Sequence, residues 1–162
     1  MSEGGAAPRL RAAAPQDAAR LREIAHAAYG KYVPRIGRAP APMSADYAAA
    51  IAAGHVVVIE AAGAVIGYMV AWSEPDAYFV DNIAVDPARQ GRGAGRVLID
   101  RAVREARRLG LPALRLYTNA AMHENLAMYG RMGFLETHRA AGQGFNRVFM
   151  RWDLPAAKID EL

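Results

Sequence analysis

Cysteine is absent from these 162 residues, which removes a disulfide framework, a thiolate metal site and a cysteine nucleophile together. No apolar run reaches the roughly 18 residues that a spanning helix needs, so no membrane partner is expected. The hydrophobic fraction of 53% owes much to alanine. The opening Met1-Ser2-Glu3-Gly4-Gly5 lacks the basic head and apolar centre of a secretory signal, and the expected location is cytoplasmic. The four histidines are dispersed without ligand spacing, so no metal is expected. A net charge of +4 raises nucleic acid as a partner, but the arginines form no run and have no interleaved aromatics, and no nucleic acid is expected. The length suits a single domain, expected over residues 8–153 with flexible ends at 1–7 and 154–162.

What the chain does have is a glycine-rich passage from strand to helix. Tyr78 to Val85 reads as a strand and Asp86-Pro87 as a turn, after which Gln90, Gly91, Arg92, Gly93, Ala94, Gly95 and Arg96 form a loop that opens into a helix. Glycines alternating with Arg92 and Ala94 let backbone approach an anion without Cβ obstruction, and the first N–H groups of the helix point to the same place. A pyrophosphate fits there. The triphosphate loop G-x-x-x-x-G-K-[ST] is missing, and the dinucleotide fingerprint lacks its last glycine.

The remaining elements follow from periodicity and punctuation. Residues 9–14 read as a first strand, and Pro15 opens a helix running to about Tyr29. Gly30 to Met43 reads as loop, Ser44 as the cap of a helix through Ala53, and His55–Glu60 with Val65–Trp72 as a hairpin about Ala62-Gly63. The helix from Gly93 to Leu109 would bury Leu98, Ala102, Ala106 and Leu109 and leave Arg101, Arg104 and Arg108 in solvent. Leu114 to Asn119 alternates as a strand, and Met122 to Gly133 reads as a short helix with Asn125 and Tyr129 on one face. Phe134–Arg139 and Phe145–Trp152 close the chain as an antiparallel pair.

The loop resembles the Q/R-x-x-G-x-G/A motif of the GCN5-related N-acetyltransferases, the GNAT family, with Gln90, Gly93 and Gly95 at the stated places. Asn125 to Phe134 resembles that family's closing N-x-x-x-Y-x-x-x-G-F motif. The resemblance extends over residues 8–153 and implies an α/β fold: a twisted mixed sheet of about seven strands with helices on both faces and a splayed parallel pair, Tyr78–Val85 beside Leu114–Thr118.

It also implies the site. Acetyl-CoA would be the cofactor, its arm on the backbone of Ile83, Ala84 and Val85 and its pyrophosphate on the Gly91–Arg96 amides behind Gln90. Asn125 and Asn119 would bond the arm, although Asn119 could equally cap the following turn. Tyr129 would protonate the departing thiolate, and Asp81 would take the acceptor's proton, with Glu74, Asp76 and His123 as competitors. Without cysteine, direct transfer in a ternary complex is favoured over a covalent intermediate.

On the acceptor side, Lys31, Arg35 and Arg38 suit a carboxylate or phosphate, and Tyr32, Tyr47 and Tyr78 suit an amphipathic small molecule. The implied reaction is acetyl transfer to a small-molecule primary amine. A protein α-amine or lysine, and a non-catalytic acyl-CoA sensor, stand as alternatives, and a homodimer is a habit of the family only.

Overall fold

A computed structural model of the chain describes residues 7–156. Seven strands form a mixed sheet: β1 (Arg9–Ala12), β2 (Val56–Ala61), β3 (Ala64–Ser73), β4 (Tyr78–Val85), β5 (Ala113–Asn119), β6 (Leu135–Gly142) and β7 (Phe145–Asp153). They are hydrogen-bonded in the order β1-β2-β3-β4-β5-β7-β6. β4 and β5 pair in parallel, whereas β1 with β2, β2 with β3, β5 with β7 and β6 with β7 are antiparallel. The helices are α1 (Ala18–Tyr29), α2 (Val33–Ile36), α3 (Tyr47–Ala52), α4 (Ala94–Arg108) and α5 (His123–Met132). The chain divides into two compact units, one built on the residues up to Ala71 plus Asn82–Asp100, the other on Trp72–Asp81 plus the residues from Arg101 on.

In the first unit, α1 starts behind a turn at Pro15–Asp17, where the Asp17 carboxylate accepts the Ala14 N–H at 2.7 Å. The same carboxylate pairs with Arg11 of β1 at 2.7 Å, and Arg11 reaches Glu60 of β2 at 2.6 Å, so one guanidinium ties a helix start to two strands. Arg11 holds the Asp17 carboxyl below its ordinary range, so this contribution to stability is present at neutral pH and is lost as acid protonates Asp17. Leu21, Ile24 and Ala25 of α1 are buried with Val58 and Ile59 of β2 as part of the core.

The segment 30–43 is more ordered than the expected loop. It holds 3-10 turns at Gly30–Tyr32 and Ala41–Met43 and the short α2, in which Pro34 sits within the first turn, where a missing N–H costs nothing. Asp46 rather than Ser44 caps α3, accepting the Ala49 N–H at 3.0 Å; Ser44 instead closes the preceding 3-10 turn. Along α4, Leu98, Ala102 and Ala106 are fully buried as expected, but Leu109 lies just past the helix end and is 42% exposed. At the C-terminal end, Leu154 N–H donates to Pro112 O at 2.9 Å and Arg107 reaches Pro155 O at 3.3 Å. Residues 1–6 and 157–162 of the expected flexible ends lie outside the described residues.

Gly67 in β3 is the tightest backbone approach in the first unit. A Cβ there would stand 2.9 Å from Ala84 O and 3.1 Å from Ile59 Cγ2, inside van der Waals distance. Gly67→Ala is therefore expected to lower the thermal midpoint, at a cost of about 1–3 kcal/mol. Gly130→Ala, in α5 with nothing within 4 Å of the added carbon, is expected to be neutral or to stabilise by up to ~1 kcal/mol. Circular-dichroism melts of the two variants check the contrast; equal midpoints would remove the close approach.

Candidate functional site

The first unit carries the glycine loop. Asp86 follows β4 and begins the passage, with its N–H on Ile66 O at 2.8 Å and its carboxylate accepting Ala88 N–H at 3.0 Å and Arg20 of α1 at 2.8 Å. Arg20 also donates to Val65 O at 3.0 Å, so a single side chain fixes the ends of β3 and β4 where the loop departs. No local signal marks Arg20, since its partners are 45 and 66 positions away. Gln90 folds back so that its Nε2 donates to Val85 O at 3.1 Å.

Beyond Gln90 the backbone turns through Gly91 (φ 80°) and Gly93 (φ 82°), conformations that a side chain would strain, and nothing lies within 4 Å of where their Cβ atoms would be. Val97 N–H makes the first helical bond, to Gly93 O at 3.1 Å, so the amides of Ala94, Gly95 and Arg96 stand at the free positive end of the fifteen-residue α4. An open, left-handed glycine turn running into unpaired amides fits a pyrophosphate. The Arg96 side chain turns along the helix to Asp100 at 3.2 Å, leaving its amide as the relevant group.

β4 itself is held by a buried polar network. Asn82 Nδ2 donates to Tyr47 Oη at 2.9 Å, and Asn82 Oδ1 lies 3.2 Å from both Tyr29 Oη and Tyr68 Oη. Tyr47 and Tyr68 hydroxyls are 2.8 Å apart, and Tyr47 donates to Pro42 O. Tyr29 Oη donates to Ile83 O at 2.8 Å. Burial pushes the Tyr68 phenol well above its ordinary value, so it stays neutral. Among the described residues no buried side-chain nitrogen or oxygen lacks a partner.

Carbonyls alternate along a strand. Ala84 O faces Gly67 of β3, so Ile83 and Val85 present their backbone groups along the opposite edge of β4, and Tyr29 and Gln90 cap the two carbonyls there. Tyr47, expected beside an acceptor, is instead a fully buried member of this network. Tyr32 is also buried, with Lys31 Nζ 5.0 Å and Arg35 Cζ 5.3 Å from its ring centre. Arg35 and Arg38 are exposed.

The second unit holds the other expected residues. The parallel ladder pairs Tyr78 with Leu114, Phe79 with Arg115 and Val80 with Leu116, and stops there. Asp81 is the first residue past its end. It is half-buried, makes no hydrogen bond or ion pair with any described residue, and has its carboxyl raised above the ordinary value by desolvation. Glu74, a competitor, is paired with Arg115 at 3.0 Å. Asp76 is exposed in the β3–β4 turn and His123 is exposed at the start of α5.

Tyr78, expected to suit an amphipathic acceptor, lies on the opposite face of β4 from Asp81, near Glu105 of α4. Asn119 Oδ1 accepts Ala121 N–H at 2.9 Å, the turn-capping role. In α5, Asn125 Nδ2 is 3.7 Å from Met122 Sδ, and Tyr129, buried, meets Phe134 edge-on at 5.6 Å. Gly133 ends that helix against Trp152. Among the described residues no cluster of three or more His, Cys, Asp or Glu side chains is placed to hold a metal, and no helix is long and apolar enough to cross a membrane.

The family model described as "Acetyltransferase (GNAT) family" matches residues 19–134. Over 52 residues the chain is 40% identical to mycothiol acetyltransferase of Propionibacterium freudenreichii subsp. shermanii, a match covering 32% of this chain and 17% of that relative. The chain thus corresponds to under a fifth of the relative's length. Its fold is similar to that of PaiA N-acetyltransferase from Thermoplasma acidophilum, solved in complex with coenzyme A, with a TM-score of 0.77 at 13% identity over 91% of this chain and 99% of the other. A GCN5-related N-acetyltransferase from Rhodopseudomonas palustris gives 0.72 at 22% identity over 93% and 98%. At these identities the likeness to solved structures is one of fold.

Asp81 yields a prediction of definite sign. Its folded value is raised above the ordinary 3.8, so the folded state binds more protons than the unfolded one between the two, and stability falls as pH rises through that window. Asp81→Asn is expected to raise the thermal midpoint at neutral pH, with the advantage vanishing below about pH 3.8. Midpoints measured from pH 3 to 8 by differential scanning calorimetry check it; a lowered midpoint at neutral pH would mean the carboxylate has a stabilising partner.

Proposed function

The chain belongs to the acetyltransferase (GNAT) family, and on that premise we propose that it moves the acetyl group of acetyl-CoA to the primary amine of a small molecule by direct attack. The observation that carries this reading is Asp81, a half-buried carboxylate with no partner among the described residues, standing where the β4–β5 ladder ends. Desolvation makes it a better base than an exposed aspartate, because its raised value lies closer to that of an amine it must deprotonate.

The residues fit acetyl-CoA, because the glycine turn is open where side chains would fill it and the amides of Ala94–Arg96 are free for a pyrophosphate. Bound acetyl-CoA supplies an acyl group activated as a thioester. Ile83 and Val85 N–H groups, on the free edge of β4, orient an amide-bearing arm much as a neighbouring strand would. Asp81 Oδ takes one proton from the acceptor ammonium, which frees the nitrogen lone pair to form the N–C bond as the C–S bond breaks. Tyr129 Oη supplies a proton to the departing sulfur, and Asn125, one turn earlier on α5, shares its face. The second proton on the acceptor nitrogen is lost as the amide forms and restores the one Tyr129 gave up, and the proton on Asp81 passes to solvent, so charge and atoms balance. The exposed Arg35 and Arg38 remain candidates for attracting an anionic acceptor.

Thiol release from acetyl-CoA in the presence of a panel of primary amines tests the reading. Tyr129→Phe is expected to lower kcat roughly a hundredfold with little change in cofactor affinity. The loss should shrink with a donor whose thiol is more acidic, since that leaving group needs less help. An equal loss for both donors would remove Tyr129 as the acid, and silence towards every amine while peptides react would move the reading to a protein acceptor.

A further inference from the structure

In the unit built on Trp72–Asp81 and the residues from Arg101 on, the sheet has two unlike faces. Leu114, Leu116, Thr118, Val148 and Met150 are buried on one of them. Both helical segments of the unit pack there: Thr118 Oγ1 meets Met122 Sδ at 3.4 Å just before α5, Phe134 packs on Trp152 at 5.7 Å, and Tyr78 lies beside Glu105 of α4. The alternate residues point the other way and are half-exposed.

Along that second face rings run from strand to strand. Trp72 meets Phe79 at 5.3 Å, Phe79 meets Tyr117 at 5.9 Å, Tyr117 meets Phe149 at 5.5 Å, and His138 stacks on Phe149 at 4.3 Å. The last contact exists because β6 shifts register between Glu136 and His138, which turns the imidazole onto the ring.

The charges on this face sort into satisfied and unsatisfied. Arg115 is paired with Glu74 at 3.0 Å and Arg151 with Asp153 at 2.8 Å. Asp81 and Arg147 have no ion-pair partner among the described residues. Arg147 lies over the Tyr117 ring at 5.2 Å and near the Phe145 ring at 5.7 Å. Asp81, one step past the Val80–Leu116 pair, shares the face of Tyr117, the next residue of β5, as Arg147 does.

We propose that this ring-lined face is the acceptor platform, and that it selects an arylalkyl primary amine bearing a carboxylate on the far side of its ring from the amine. The proposal rests on the acetyl-transfer reading for the fate of the amine, but not for binding. A flat ring lies on Tyr117 and Phe149, which the buried Phe79 backs, and such contacts favour offset stacking. The ammonium goes to Asp81 and the carboxylate to the planar fork of Arg147. Neighbouring strands stand about 4.8 Å apart, so β4 and β7 are separated by roughly 10 Å. Arg147, opposite Asn119, stands two residues further along than Tyr117 and reaches back over the Tyr117 ring, which brings its fork within the span of a para-substituted ring. A diamine would set its second cation against Arg147, so the same device rejects polyamines.

The test compares para-(aminomethyl)benzoate with benzylamine, which lacks the anion, and with ε-aminocaproate, which lacks the ring. Binding is read by calorimetry and by the fluorescence of Trp72 in a Trp152→Phe background, and acetylation by thiol release. The expected result is a preference of roughly tenfold or more for para-(aminomethyl)benzoate over each of the others. Arg147→Gln should bring it level with benzylamine, and Arg147→Lys should restore part of the gap. Equal binding of all three probes, or a preference that survives in Arg147→Gln, would overturn the proposal. Acetylation without preference would overturn it while leaving the transferase reading intact; selective binding without acetylation would support the platform and count against that reading. A mass that doubles with concentration while no probe binds would assign the face to a second copy of the chain and overturn the proposal.

Discussion

The structure depends on how β4 is held once it leaves its parallel partner at Val80. A strand that runs on past its ladder has backbone groups to satisfy on one edge, and leaving them buried and unmet costs about 1–3 kcal/mol each. This chain meets that cost with side chains from distant elements. Tyr29 bonds the Ile83 carbonyl, Gln90 the Val85 carbonyl, and the Asn82 amide joins Tyr29, Tyr47 and Tyr68 behind the strand. Fully satisfied networks of this kind define one geometry, because every member loses if one moves. The consequence is an edge that is ordered without being closed.

Two devices then extend that order into the loop. Arg20 pins the end of β4 through Asp86, and the Asp86 carboxylate caps the turn at Pro87–Arg89. Gly91 and Gly93 take up conformations that strain other residues and deliver the chain to the start of α4. The proposed anion site in the loop is thus one of backbone direction, built on amides rather than on the nearby arginine side chains. In the other unit the proposed base is a carboxylate without an ion pair: neighbouring Arg115 and Arg151 are matched to Glu74 and Asp153, and Asp81 is half-buried with its carboxyl raised above the ordinary value by desolvation.

Much of this was legible in the sequence, and the division has a physical basis. Local signals worked: two hairpins, the buried stripe of α4 and the helix stopped by Gly133 all follow from periodicity and turn residues within a few positions. The two family motifs are local as well. Where two local signals competed, the sequence misled: Ser44 and Asp46 are both good caps, and only the path of the chain decides for Asp46. Long-range satisfaction left no trace. Tyr47 reads as an acceptor-binding aromatic until its hydroxyl is found on Asn82, 35 positions away, and Gly67 reads as an ordinary strand residue until Ala84 O is seen against it. Tyr78 and Asp81 look like neighbours in sequence, yet strand alternation sends them to opposite faces.

The central claim is that the glycine turn and the start of α4 hold acetyl-CoA. Thermal unfolding of the wild-type protein and of Gly93→Val, each with and without acetyl-CoA, tests it most directly. A ligand at a hundred times its dissociation constant should add about 2.7 kcal/mol and raise the wild-type midpoint visibly. The account predicts that rise for the wild type and its loss in the folded variant; no rise at millimolar acetyl-CoA, or an equal rise in both proteins, would contradict it.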